Sequence, residues 1–116
     1  MTLPRGGVLL RVFIGEADTY QGKPLYEQIV LRARALNLAG ATVVRGVMGF
    51  GRASRIHTAK VLRLSEDLPV VVEIVDTEER INALLPFLDE AVEGGLVTLE
   101  RAQVIAYRHP DGPKNT

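Results

Sequence analysis

The sequence predicts an α+β sandwich, a four-stranded antiparallel sheet with two helices on one face, in the order β-α-β-β-α-β. Three observations carry that expectation. Branched and aromatic residues gather in strand-length runs at Val8–Ile14, Ala41–Phe50, Leu68–Asp76 and Leu96–Tyr107. Apolar residues recur at three- and four-residue spacing between the first and second runs, and again between the third and fourth. Val43, Val71 and Val104 have apolar neighbours along the strands, so both faces of the sheet read as hydrophobic. Right-handed crossovers close this order into the split β-α-β, or ferredoxin-like, sandwich. Its helices cover one face only. A bare apolar face predicts self-association.

Each element has its own signals. Val8–Ile14 ends at Gly15, and residues 16–23, with Asp18, Gln21 and Gly22, read as a loop. Pro24 stands at the first position of a helix, where its missing N–H is no loss. Leu25, Ile29, Ala33 and Leu36 mark that helix's apolar face, and Asn37 and Gly40 stop it. Within Ala41–Phe50, Gly46 marks a bulge or a close backbone approach. Gly51–Asp67 is too polar and too long for a hairpin turn, and connections beyond about 12–15 residues tend to be functional or mobile. Leu68–Asp76 is the clearest strand, with Pro69 confined to its start. Asp76 and Glu79 form a capping-box pattern ahead of a second helix marked by Ile81, Leu84, Leu85, Leu88 and Val92. Pro86 inside that pattern removes a hydrogen bond, at a cost of roughly 3 kcal/mol, and predicts a kink. Gly94-Gly95 ends the helix, and the tail from His109 should be loose.

Length and composition predict one domain over residues 1–116, with a core at about 8–108. Apolar residues make up 47% of the chain, too many for disorder, and no run approaches the ~20 residues that span a bilayer. The start is no signal peptide, so a cytoplasmic protein is expected. The absence of cysteine excludes disulfides and thiolate chemistry. The 14 basic and 14 acidic residues cancel, but not locally. Between Gln28 and Ser65 there is no carboxylate, against Arg32, Arg34, Arg45, Arg52, Arg55, Lys60 and Arg63. That split predicts a field that attracts an anion, a dipolar surface that pairs with a copy of itself, or simply a solvated basic face.

Catalytic constellations are missing. His57 and His109 have no partner at metal-ligand spacing, Ser54 and Ser65 have no elbow motif or base, and the acid pairs Glu16/Asp18 and Glu66/Asp67 read as solvated. Neither an enzyme nor a metal site is expected. The segment from Gly49 to Thr58, GFGRASRIHT, differs. Glycines at 46, 49 and 51 let the backbone bend and approach a ligand, and Arg52 or Arg55 adds a fork of charged donors, a phosphate-like site in outline. Glycines also end strands for steric reasons alone.

Val44–Asp76 resembles the PII signalling proteins, in which a strand ends in Gly-Phe-Gly-Arg, a long T-loop follows and a Leu-Pro-led strand returns. Here these are Gly49-Phe50-Gly51-Arg52, the segment 51–67 and Leu68-Pro69. Gln103–Arg108 looks like the last PII strand. Residues 9–107 as a whole are similar to a bacterial PII-like family labelled a domain of unknown function, through Gly15-Glu16, Gly22–Tyr26, Gly49–Gly51, Ser54–His57 and Leu64–Pro69. The resemblance implies a homotrimer whose sheets face one another, with adenine nucleotides bound between subunits and a T-loop that docks on a membrane transporter or enzyme. Gly49, Phe50, Gly51, Arg52 and Arg55 at the loop base, Gly94 and Gly95, and Arg108 would then line an anion cleft. Ser54, His57, Lys60 and Arg63 would meet the partner.

The chain departs from the PII pattern. Val70 replaces the lysine after Leu-Pro, the lysine of the glycine turn is missing, and Ala106 replaces one of two last-strand arginines. Because charge-assisted contacts are the stronger ones, losing three cations penalises a triphosphate most. The expected effector is an adenine nucleotide with few phosphates or another small anion, with no cofactor tightly bound. No tyrosine is present in the loop to be nucleotidylated. The alternatives are a ligand-independent trimeric interaction module and a metal-tolerance protein like CutA. An RNA-recognition domain shares the element order, but its aromatic signature belongs on the third strand, so nucleic acid is not an expected partner.

Overall fold

The computed structural model describes residues 6–50 and 67–108. It contains the strand–helix order read from the sequence. The elements are β1 (Gly6–Gly15), β2 (Thr19–Tyr20), β3 (Lys23–Pro24), α1 (Leu25–Ala35), β4 (Thr42–Arg45), β5 (Pro69–Asp76), α2 (Glu78–Ala91) and β6 (Leu96–Gln103). The main sheet runs β4-β5-β1-β6, with every neighbouring pair antiparallel. This is the ferredoxin-like arrangement expected.

Alternation builds the core. Val8, Leu10, Val12 and Ile14 of β1 and Val70, Val72 and Ile74 of β5 face the helices, which answer with Leu25, Ile29, Ala33, Ile81, Leu84, Phe87, Leu88 and Ala91. The other face carries Leu9, Arg11 and Phe13, opposite Val75, Glu73 and Val71 on one side and Glu100, Thr98 and Leu96 on the other. Val44, partnered with Val71, joins them, whereas Val43, partnered with Val72, lies on the helix side. No described element covers this second face, and Phe13, Val44, Val75 and Leu96 stay exposed on it. Arg11 sits at its centre, donating to Glu73 at 3.0 Å and to Glu100 at 2.5 Å. Both carboxylates raise its pKa, the Glu73 hydrogen bond most, so the guanidinium is charged at every working pH.

Several boundaries differ from expectation for identifiable reasons. Residues 16–23 are not merely a loop. Gln21 (φ 52°) and Gly22 (φ 77°) turn the chain between β2 and β3 with two positive-φ residues, as a tight two-residue hairpin requires. Pro24 is the N-cap of α1 rather than its first helical residue. The helix ends as expected: Asn37 at φ 61° lets Leu38 N–H donate to Ala33 and Asn37 N–H to Arg34, a Schellman closure. The cap of α2 is Thr77, whose hydroxyl accepts the Arg80 N–H at 3.2 Å, because Asp76 is engaged elsewhere. The helix continues through Pro86. β4 stops at Arg45 and β6 at Gln103, short of Phe50 and Tyr107.

The hairpin is fastened to the helices through Tyr20. Its ring meets Phe87 edge-on, 5.3 Å between centroids, while Arg32 lies 4.2 Å over the Phe87 ring. The Tyr20 hydroxyl donates to Glu90, and that bond, with burial and the Glu90 charge, raises the phenol pKa above its ordinary 10.0. A raised phenol pKa stabilises the fold below pH 10.0 and loses that contribution as pH climbs through the folded value. Comparing wild type with Tyr20→Phe by tyrosinate absorbance should therefore show the missing ionisation step above pH 10.0; a step at or below it would refute the contact.

Candidate functional site

The pieces of the expected anion cleft can be located from the sheet register. At one end of the sheet lie the end of β4, the start of β5, the end of β1 and the start of β6, because Arg45 pairs with Val70, Gly15 with Pro69 and Phe13 with Leu96. Beyond β4, the Gly46 N–H donates to the Pro69 carbonyl at 2.7 Å. A Cβ on Gly46 would lie 2.8 Å from Pro69 Cγ, and one on Gly49 3.2 Å from the same atom. Gly46 is thus a close-packing point, and both glycines fold the chain onto one proline ring. Val47, Met48 and Phe50 then project into solvent, 80%, 60% and 73% exposed, at the root of the long connection.

That root is tied down from below. The Asp67 carboxylate accepts the Ala17 N–H at 3.0 Å, the Glu16 N–H donates to Leu68, and Asp18 accepts the Gly15 N–H at 2.9 Å. A Cβ on Gly15 would collide with Asp67 Oδ1, which accounts for glycine there. Asp67 itself is held at φ 43°, a strained conformation for a residue with a side chain. Glu16 accepts from Arg45, so this arginine of the basic stretch is already paired.

Gly94-Gly95 occupies the same end of the sheet but the opposite edge, at the start of β6. A Cβ on Gly95 would stand 2.6 Å from the Phe13 carbonyl oxygen, so packing alone demands this glycine. Arg108 follows β6 at the other end of the sheet and is exposed. Gly49 thus rests against Pro69 of β5, Gly95 against the Phe13 carbonyl of β1, and Arg108 lies beyond Gln103 at the far end. One subunit does not bring them around a single phosphate. Val70, where the PII proteins carry lysine, is only 2% exposed and packs in the core.

The remaining site residues, Gly51, Arg52, Arg55, Ser54, His57, Lys60 and Arg63, lie outside the described residues. An open groove of about 470 Å³ lies where β1 begins and β6 ends, lined by Gly6, Gly7, Arg101, Ala102 and Gln103; the sequence reading did not single it out. Among the described residues no cluster of His, Asp and Glu is grouped to hold a metal, and no helix is long and apolar enough to cross a membrane.

Comparison with known proteins agrees with this architecture. The chain is similar to a UPF0166 protein of Aquifex aeolicus (strain VF5), 43% identical over 100 residues, covering 84% of this chain and 91% of the relative. A UPF0166 protein of Methanocaldococcus jannaschii is 34% identical over 97 residues, 83% of this chain and 89% of that one. Among solved structures, CPII from Thiomonas intermedia K12, bound to ADP and bicarbonate, superposes with a TM-score of 0.59 at 19% identity, over 85% of this chain and 88% of that one. A protein of Thermus thermophilus described as PII-like and signaling gives 0.60 at 18% identity, over 90% and 94%. At such identities the likeness establishes the fold. The model of the family DUF190, described as "Uncharacterized ACR, COG1993", matches residues 7–104. The chain therefore belongs to the DUF190 family and has the PII-like fold.

Proposed function

We propose that the protein is a non-catalytic, cytoplasmic PII-like regulator. It closes into a homotrimer, binds a small anionic effector between subunits and signals to a partner through residues 51–67. The observation that carries this reading is the separation of the candidate anion-binding pieces around one sheet whose second face is bare among the described residues, with exposed Phe13, Val44, Val75 and Leu96 around the Arg11 ion pairs. Such pieces make a complete site only when copies meet, and the bare face supplies the reason for them to meet. The neighbours' ligands support the chemical class: CPII structures hold ADP with bicarbonate, and ADP with AMP and acetate. Val70 in the core and Ala106 in place of arginine leave few cations, which favours an adenine nucleotide with few phosphates. The partner is a transporter or an enzyme met by Ser54, His57, Lys60 and Arg63, with the exposed Val47, Met48 and Phe50 beside them in sequence.

A thermal-shift screen of AMP, ADP, ATP and cyclic nucleotides, with mass in solution measured alongside, tests the reading. A ligand at 100 times its Kd stabilises by about 2.7 kcal/mol, so AMP or ADP should raise Tm by several degrees on a species of trimer mass. A monomeric mass, or tight binding of ATP with none of AMP, would overturn it. A trimer that no nucleotide or small anion shifts would instead identify the second reading, an interaction module without an effector, which the exposed apolar trio favours.

A further inference from the structure

After Gln103 the chain crosses the end of the sheet. A Cβ on Gly7 would lie 3.1 Å from the Asp76 carbonyl oxygen and at an ordinary 3.5 Å from Val104 Cγ2, which places Val104 beside β1. Three residues on, the Tyr107 hydroxyl donates to the Ala39 carbonyl at 3.2 Å, on the connection between α1 and β4. The segment thus runs from the β6 edge past β1 and β5 toward the β4 edge, where Arg108 emerges exposed.

The anchor at Ala39 is itself fixed. Its N–H donates to Asp76 Oδ2 at 2.8 Å, and Asp76 Oδ1 accepts the Thr77 N–H at 2.7 Å. Asp76 is completely buried. Two residues earlier, Arg80 donates to the Asn37 carbonyl at 3.1 Å. The acceptor offered to Tyr107 is therefore held independently of it, by the buried Asp76 at the Ala39 N–H and by Arg80 two residues earlier. An arginine on a fixed residue loses less freedom on meeting an anion than one on a fraying end.

We propose that Tyr107 is a positioning residue that holds Arg108 for the phosphate of a nucleoside monophosphate, with Asp76 fixing the anchor point. The inference rests on the cleft reading above, in which Arg108 meets the anion. Tyr107→Phe removes only the hydroxyl. Calorimetry on the full chain with AMP and with adenosine, for wild type, Arg108→Ala, Tyr107→Phe and the double variant, separates the possibilities. Tyr107→Phe should weaken AMP about tenfold, the size of one lost hydrogen bond, leave adenosine unchanged, and add nothing once Arg108 is already Ala. If Arg108→Ala weakens AMP and Tyr107→Phe does not, the positioning role falls and the cleft reading stands. Equal losses for AMP and adenosine would mean a general structural role and also overturn it. AMP binding that is absent in wild type, or indifferent to Arg108→Ala, overturns both.

Discussion

Replacing Asp76 with Ala is expected to lower stability by about 3 kcal/mol and Tm by roughly 10 °C. The carboxylate is completely buried, and each oxygen takes one backbone N–H, from Ala39 on the α1–β4 connection and from Thr77 at the start of α2. Truncation leaves two donors without acceptors where water has little access, at about 1–3 kcal/mol each. Removing a buried charge gives some of this back, since a carboxylate is itself expensive to desolvate. The net remains a loss because both lone-pair sets are satisfied by charge-assisted bonds, roughly twice as strong as neutral ones. Asp76→Asn should fall between, keeping one acceptor oxygen while turning an amide N–H₂ toward a donor. Urea unfolding at a fixed protein concentration checks this, with the midpoint falling and the m-value unchanged. A loss below about 0.5 kcal/mol, the size of an ordinary surface change, would mean that the junction does not depend on this carboxylate.

Asp76 also shows where sequence reasoning reached and where it stopped. Local signals placed both helices and the strands β1 and β5, because those elements bury most of what their spacing says they bury; Leu36, read as part of the first helix's apolar face, is instead its exposed C-cap. The same logic overran at β4. Val47, Met48 and Phe50 have strand-like character, yet they are exposed, and the ladder gives way at Gly46, where the chain turns onto Pro69. Asp76 in a capping-box pattern read as a local cap; its carboxylate instead accepts from Ala39, 37 residues away, and Thr77 caps in its place. No window of sequence contains that partner. The hairpin of β2 and β3 was hidden because Gln21-Gly22 is a weaker turn signal than Asn-Gly. The full set of candidate site residues came from the family resemblance alone. Its geometry was not legible in the sequence, since which corner of the sheet each piece occupies depends on strand order, a tertiary property.

If copies associate through the bare face as proposed, Phe13→Asp is expected to weaken that association at least 100-fold while leaving the subunit folded. Phe13 lies on the bare face between Val71 and Leu96, 37% exposed in the single chain, whereas its neighbours Val12 and Ile14 point into the core and are untouched. On that face Arg11 already answers two carboxylates, Glu73 and Glu100. A third would have no partner when the face closes, and burying an unpaired carboxylate costs several kcal/mol. At about 1.4 kcal/mol per factor of ten, a penalty of that size exceeds a 100-fold loss. Sedimentation velocity should show monomers with far-ultraviolet circular dichroism preserved, and Phe13→Leu, which keeps the surface apolar, should still assemble. Persistence of the wild-type mass in Phe13→Asp would mean that copies meet elsewhere. The dissociated variant also tests the site. If the cleft forms between subunits as proposed, a monomer, with Gly49 and Gly95 at one end of the sheet and Arg108 at the other, holds only fragments of it and its Tm should no longer respond to AMP. A monomer that bound AMP as the wild type does would place the whole site within one subunit.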